Sequence, residues 1–198
     1  LEKQLFNAFL NVYIYFLFMN EIIEKVSREA LLDELNKERY VRKTNNGNNE
    51  IYIITHFNSP NVMREIGRLR EVTFRHAGGG TGKDIDLDEF DLSDHPYQQL
   101  LVWNPIDKEI VGAYRFILCK DAEFRAGKVH LATTELFDFS PQFYKEYLPY
   151  TIELGRSFIQ PMYQPSEQFR KGLFSLDNLW DGLGAIVIDN PSQKHFFG

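Results

Sequence analysis

The stretch Thr151-Ile-Glu-Leu-Gly-Arg-Ser-Phe-Ile159 reads as a β-strand with a glycine at its centre. Side chains alternate along a regular strand, so Glu153 and Arg156 would face opposite sides of a sheet. A glycine inside a strand often marks a bulge, and one extra residue resets the alternation. The sequence therefore predicts a ladder broken near Gly155, with Glu153 and Arg156 on one face and a backbone N–H left unpaired. Read from residue types alone, the pair is first a structural ion pair. The second reading is a carboxylate base beside a guanidinium.

Working outward from this strand, Leu176 to Ile188 reads as a helix opening after Gly172, and Phe196-Phe197 as the start of a further strand. Upstream, Gln99 to Trp103 and Glu109 to Leu118 flank Asn104-Pro-Ile-Asp-Lys108, a hairpin signal. Pro141 to Tyr147 reads as a short helix. Ser59-Pro60 opens a helix carrying Val62, Ile66, Leu69 and Thr73 on one face. Glu50 to His56 is a strand, Lys43 to Asn49 a turn-rich loop, and Glu21 to Asn36 a helix by its apolar spacing. The order predicts an α+β (mixed α/β) domain with a central, mostly antiparallel sheet flanked by helices.

Composition narrows the function. A chain of 198 residues, 43% hydrophobic and 15% aromatic, suits one globular domain. Its net charge of -6, with basic residues interleaved among acidic ones, gives no nucleic-acid footprint. The lone Cys119 excludes an internal disulfide framework and is expected as a buried strand residue in a reducing, cytoplasmic setting. The five histidines lack metal-ligand spacing, so no metal site is expected. Residues 1–18 form an apolar run broken by Asn7 and Asn11. Met19 is expected as the native start, with 1–18 extra and 19–198 the domain. A membrane-surface anchor is the competing reading, leaving peripheral contact with the inner membrane face open.

Gly78-Gly-Gly-Thr-Gly-Lys-Asp-Ile-Asp-Leu-Asp-Glu-Phe-Asp91 invites two readings, and the residues exclude both. A phosphate loop would place its first glycine at Ala77 and a hydroxyl at Asp84. A calcium loop would need glycine at Glu89 and glutamate at His95. A mobile surface loop delivering an acidic segment is the remaining expectation.

The ordered set of motifs resembles the GNAT superfamily branch of N-acyl amino acid synthases. These are the ornithine and glycine N-acyltransferases that use acyl carrier protein, often labelled hemolysin-like and similar to acyl-homoserine lactone synthases. Arg70 and Phe74 match its Arg-x-x-x-Phe, Asp88 and Asp91 its Asp-x-x-Asp, and Glu153 and Arg156 its Glu-x-x-Arg. Arg115 lies in Gly-Ala-Tyr-Arg-Phe, Gln160-Pro-Met-Tyr163 follows the strand, and Leu179-Trp-Asp-Gly-Leu183 matches a helix after the acyl-binding loop. The resemblance covers about Asn58 to Gly198.

It implies a GNAT-like fold in which an acyl-pantetheine arm enters between two splayed strands. The second wall would begin at Phe196-Phe197, so the domain is expected to be incomplete at its C-terminus and inactive and poorly soluble as 1–198. It implies catalysis by Glu153 and Arg156, with Arg70, Phe74, Asp88, Asp91 and Arg115 shaping the acceptor pocket. Gly155, Ser157, Arg170, Lys171 and Gly172 would meet the phosphopantetheine of the donor. The segment Gln168 to Phe174 departs from the usual pyrophosphate loop, which favours an acyl carrier protein over acyl-CoA as donor. No bound cofactor is implied. The chemistry is consistent, because a base must deprotonate an amino acid's ammonium before it attacks a thioester, and a guanidinium grips its carboxylate. The expected activity is fatty acyl transfer to the amine of glycine or ornithine. Alternatives are a CoA-dependent N-acetyltransferase, a lactone signal synthase, and a non-enzymatic membrane-perturbing protein.

Overall fold

The computed structural model describes residues 19–164 and 172–198. Helix α1 (Arg28–Glu34) leads into strands β1 (Tyr40–Lys43) and β2 (Glu50–Ile54), then the long helix α2 (Pro60–His76) and the single turn α3 (Glu89–Leu92). The hairpin β3 (Gln98–Asn104) and β4 (Glu109–Leu118) follows, then a two-residue pair, β5 (Phe124–Arg125) and β6 (Lys128–Val129). The described chain closes with β7 (Thr151–Ile159), helix α4 (Ser175–Asp189) and β8 (His195–Phe197).

Six strands form one sheet in the order β1-β2-β3-β4-β7-β8. Every pairing is antiparallel except β7 with β8, which run parallel with Thr151 beside His195 and Glu153 beside Phe197. This is the mixed, mostly antiparallel α/β architecture the residue pattern predicts. Strand alternation divides the core. Ile54, Leu101, Trp103, Ala113 and Phe158 pack under α1 and α2, while Ile51, Leu100, Val102, Tyr114 and Ile152 pack under α4. Helix α4 sits close to the sheet because Gly182 carries no side chain: a Cβ there would lie 2.5 Å from Leu100 Cδ2. Among the described residues no helix is long and apolar enough to cross a membrane.

The expected helix over 21–36 is much shorter. Ser27 caps α1, its hydroxyl accepting from the Ala30 N–H at 3.2 Å. Ahead of it the backbone donors go elsewhere: Asn20 to Gly82 O (2.9 Å), Ile23 to Asp84 O (3.1 Å) and Val26 to Glu65 Oε2 (3.1 Å). Long-range partners outbid the local i to i−4 bonds that the spacing favours. Helix α2 starts at Ser59-Pro60 as expected, but the serine hydroxyl makes no cap bond. Glu34 of α1 caps it instead, accepting from the N–H groups of Asn61 (3.0 Å) and Val62 (2.8 Å). A cap of this kind is worth about 1 kcal/mol and ties the two helices together.

Candidate active site

The break in β7 is present, one residue later than the glycine. Gly155 pairs with Arg115 and Phe158 with Ala113, so Arg156 and Ser157 together face the single residue Tyr114. The parity confirms it: Ala113, Arg115 and Ile117 alternate on one face of β4, and their partners are Phe158, Gly155 and Glu153. Glu153 and Phe158 are five residues apart and share a face, which an unbroken strand forbids. The residue with left-handed backbone is Arg156, at φ 51°, a conformation a non-glycine residue adopts at some cost. Gly155 serves a different purpose. A Cβ there would come within 3.3 Å of Arg115 Nε, so its missing side chain leaves room for that guanidinium.

Glu153 is buried and held at both oxygens. Tyr97 Oη donates to Oε2, and the Thr133 N–H donates to Oε1 at 2.8 Å. Arg156 is half-exposed, and its Nη2 lies 3.6 Å from Asp86 Oδ1 and 3.7 Å from Asp88 Oδ2. The two side chains therefore take separate partners, and both line one cleft of about 620 Å³ with Asp88, Arg115, Thr133 and Gly155.

The acidic segment reaches this cleft by lying across α2. At Gly67 a Cβ would meet Leu87 Cγ at 2.6 Å, so only glycine lets residues 85–87 cross the helix, where the Asp86 N–H bonds Gly67 O at 3.1 Å. Asp88 then caps α3, and Asp91 returns a bond to the Asp88 N–H. Beneath them, fully buried Arg70 donates to Asp91 Oδ2 (2.9 Å) and to Gln99 Oε1 (2.5 Å). Arg115 holds both oxygens of Asp88 at 2.7 Å, with its guanidinium 5.3 Å from the Phe90 ring and 5.2 Å from the Tyr97 ring. Arg70, Arg115 and Arg156 thus oppose Asp86, Asp88 and Asp91, a lattice that is close to neutral as a whole.

Its electrostatics follow from burial. Desolvation would raise the Asp88 carboxyl, but the Arg115 bond and the neighbouring guanidinium charges outweigh it and hold the group below the usual range. Asp86 moves the other way, because burial outweighs Arg156 and Arg70. Burial, and then the charge of Glu153, pushes the Tyr97 phenol well above its ordinary value. The same two causes push the Cys119 thiol up to about 12; the thiol is buried as the sequence predicts, but in a 3-10 turn (Cys119–Asp121) one residue past β4 rather than in the strand.

The Gly-rich loop does hold an anion, but an internal one. Buried Glu71 of α2 accepts from the Thr81 N–H (3.0 Å), Thr81 Oγ1 (2.6 Å), the Gly82 N–H (2.9 Å) and Arg75 Nε (2.7 Å). The expectation of a mobile loop gives way to a latched one. Among the described residues no group of three or more His, Cys, Asp or Glu side chains is placed to hold a metal ion.

Not every expected residue joins the cleft. Phe74 packs against the core under α2. Ser157 is exposed at the bulge, outside the cleft lining. Gly172 is buried against backbone, where a Cβ would lie 2.7 Å from Tyr163 O. Arg170 and Lys171 lie outside the described residues. Conversely, Glu71, Asp86, Tyr97, Gln99 and Thr133 escape the sequence reading. Asp86 alone had a local signal, the alternating acidic run.

β7, bulged within the mostly antiparallel sheet, thus brings a buried carboxylate and a guanidinium to one cleft. The chain belongs to the GNAT acetyltransferase family: residues 69–171 match the Acetyltransferase (GNAT) domain, and that span contains Arg70, Asp88, Asp91, Arg115, Glu153 and Arg156. Among curated proteins it is similar to the glycine N(alpha)-acyltransferase of Bacteroides thetaiotaomicron, 59% identical over 181 residues, covering 91% of this chain and 54% of that protein. It is also similar to the glycine N(alpha)-acyltransferase of Phocaeicola vulgatus, 56% identical over 181 residues, covering 91% of this chain and 56% of that protein. The chain spans about half the length of the curated relatives it matches. No solved structure matches it.

Proposed function

We propose that this chain carries the acceptor side of an N-acyltransferase site that moves a fatty acyl group from a pantetheine thioester to the amine of glycine, giving an N-acyl amino acid lipid. The observation that carries the reading is the bulge, which sets Glu153 and Arg156 on one cleft with different partners. Glu153 is the proton acceptor. Arg156 is the cation for the glycine carboxylate, because Arg115 is already committed to both oxygens of Asp88 whereas among the described residues the carboxylates nearest Arg156 lie at 3.6 Å and 3.7 Å. The relatives' names favour glycine over ornithine as the acceptor.

One ammonium proton passes to Glu153, and the neutral nitrogen attacks the thioester carbon. The backbone N–H of Arg156, at the register break with β4 and in the cleft lining, would steady the oxyanion. The C–S bond then breaks, the remaining surplus N–H proton goes to the sulfur, and Glu153 returns its proton to solvent. The departure of the Gln168 to Phe174 segment from a pyrophosphate loop favours acyl carrier protein as donor, with acyl-CoA the second choice. No covalent nucleophile is required, consistent with a buried Cys119 thiol whose pKa is raised.

The test is full-length protein with palmitoyl-acyl carrier protein or palmitoyl-CoA, glycine or ornithine, and mass spectrometry of the product. N-palmitoylglycine is expected. Glu153→Gln should lower turnover by roughly 10²–10⁴-fold with the fold intact. Near-normal transfer by that variant returns Glu153 to a structural role.

A further inference from the structure

We propose that Tyr97 is a positioning residue for Glu153, fixing its carboxylate toward the cleft for proton transfer; this rests on the acyltransferase reading above. Tyr97 is buried just ahead of β3, far from Glu153 in sequence, and its Oη donates to Glu153 Oε2. The same Oη accepts the Ala132 N–H at 3.0 Å, and the next amide, Thr133 N–H, donates to Glu153 Oε1 at 2.8 Å. Two consecutive backbone amides therefore grip the phenol and the carboxylate together. The loop is closed, and neither oxygen of Glu153 can swing without breaking a bond.

Each carboxylate oxygen can accept two hydrogen bonds, so one position on each stays available after Tyr97 and Thr133 are satisfied. Glu153, Ala132 and Thr133 all line the cleft, where an acceptor amine would arrive. The phenol is a dependable donor, since burial and the Glu153 charge keep it protonated well beyond the ordinary range. The ring has a separate task, lying 5.5 Å from Phe90 and 5.2 Å from the Arg115 guanidinium. The hydroxyl and the ring can thus be tested apart.

The decisive variant is Tyr97→Phe, which keeps the ring and deletes the hydroxyl. The charged and titratable groups around Glu153 are Tyr97 before β3, Arg115 of β4, Cys119 after it and Arg156 of β7. Asp88 and Glu89, with Lys83 and Glu135 at the rim, complete the cleft. Apart from the Tyr97 hydroxyl, none of these is altered. In the full-length protein, with palmitoyl thioester and glycine, kcat should fall about 10- to 100-fold while KM for glycine moves less than about 3-fold. The acid limb of kcat/KM should move to higher pH, because the ionised carboxylate loses a donor. Thr133→Pro, which deletes the other donor, should shift the limb in the same direction. A structural role alone would lower melting temperature without moving the limb.

A readout independent of turnover is the Thr133 amide proton by NMR, which reports its bond to Oε1 and should shift in Tyr97→Phe as the carboxylate reorients. Unchanged kcat and pH limb in Tyr97→Phe overturn the proposal. If the parent makes no N-acylglycine from either donor, the acyltransferase reading falls instead, and an unmoved Thr133 amide then overturns the positioning role by itself.

Discussion

Replacing Glu71 with Gln tests whether the Gly-rich loop is built around an internal anion. The parent carboxylate accepts four hydrogen bonds, two per oxygen: Arg75 Nε and the Gly82 N–H on Oε1, the Thr81 N–H and hydroxyl on Oε2. An amide group can accept on only one side. If it turns its NH₂ toward Thr81, the hydroxyl can reverse, but the Thr81 N–H is left without a partner. If it turns toward Arg75, the guanidinium and the Gly82 N–H both lose theirs. The milder arrangement costs the Thr81 N–H its charged acceptor, on an exposed residue where water can take its place, at about 0.5–1.5 kcal/mol, and removes the charge opposite Arg75, whose side chain is 16% exposed. Allowing for that partial screening, the sum is about 1–3 kcal/mol. For a chain of this length that lowers Tm by roughly 3–10 °C. The assay is thermal unfolding by circular dichroism, with hydrogen exchange at residues 79–83 to locate the loss. A Glu71→Gln protein melting within about 2 °C of the parent would refute the latch.

The pH dependence gives the same idea a second check. Burial alone would raise the Glu71 carboxyl, but the donors of Thr81, Arg75 and Gly82 outweigh it and set its folded value below the ordinary 4.5. A group whose folded pKa is depressed stabilises the protein above its unfolded value and loses that contribution as pH falls through the folded one. The Tm gap between parent and Glu71→Gln should therefore be full at neutral pH and close progressively below about pH 4.5.

Two further substitutions probe the frame under the cleft. Gly67→Ala would ordinarily gain about 1 kcal/mol inside a helix, yet a Cβ there meets Leu87 Cγ at 2.6 Å and Ile85 Cγ1 at 2.8 Å; it should destabilise by about 1–3 kcal/mol in urea, and a stabilised variant would show that residues 85–87 do not depend on that approach. Arg70→Met removes a buried guanidinium and leaves Asp91 with Arg115 at 3.5 Å as its remaining cation, so it should destabilise by about 3–5 kcal/mol; a loss under about 1 kcal/mol would argue against the buried pair.

The sequence reveals the elements whose signals are local. Hydrophobic alternation and the Asn104-to-Lys108 turn place the hairpin, and Asn104 Oδ1 caps that turn by accepting the N–H groups of Ile106 and Asp107, each at 2.9 Å. Helix α4 and strand β7 fall where their patterns put them. What fails is what depends on distant partners. The helix over 21–36 yields to acceptors on Glu65, Gly82 and Asp84, and the mobile loop yields to Glu71, ten residues upstream of Thr81 on another element. Thr133 contributes only its backbone N–H, which no residue type advertises.

The bulge shows the same division most sharply. A glycine in a strand signals special geometry, but the sequence does not say which demand it meets. At Gly155 the demand is space, because Arg115 lies against its Cα face; the left-handed conformation falls on Arg156. That strain has a consequence for the site. In a regular strand Arg156 would project away from Glu153 toward the α4 face, where Ile152 and Tyr114 pack and a guanidinium would be buried without a carboxylate. The left-handed turn instead brings it over the edge of the Asp86–Asp88–Asp91 cluster, near enough to feel both Asp86 and Asp88 and too far to be satisfied by either. Arg70 and Arg115 already hold Asp91 and Asp88 at 2.9 Å and 2.7 Å, while Asp86, whose Oδ2 has no hydrogen-bond partner among the described residues, stays 3.6 Å from Arg156. On the proposed acyltransferase reading, an incoming carboxylate would reach Arg156 without first breaking a strong ion pair, in the cleft that Glu153 also lines.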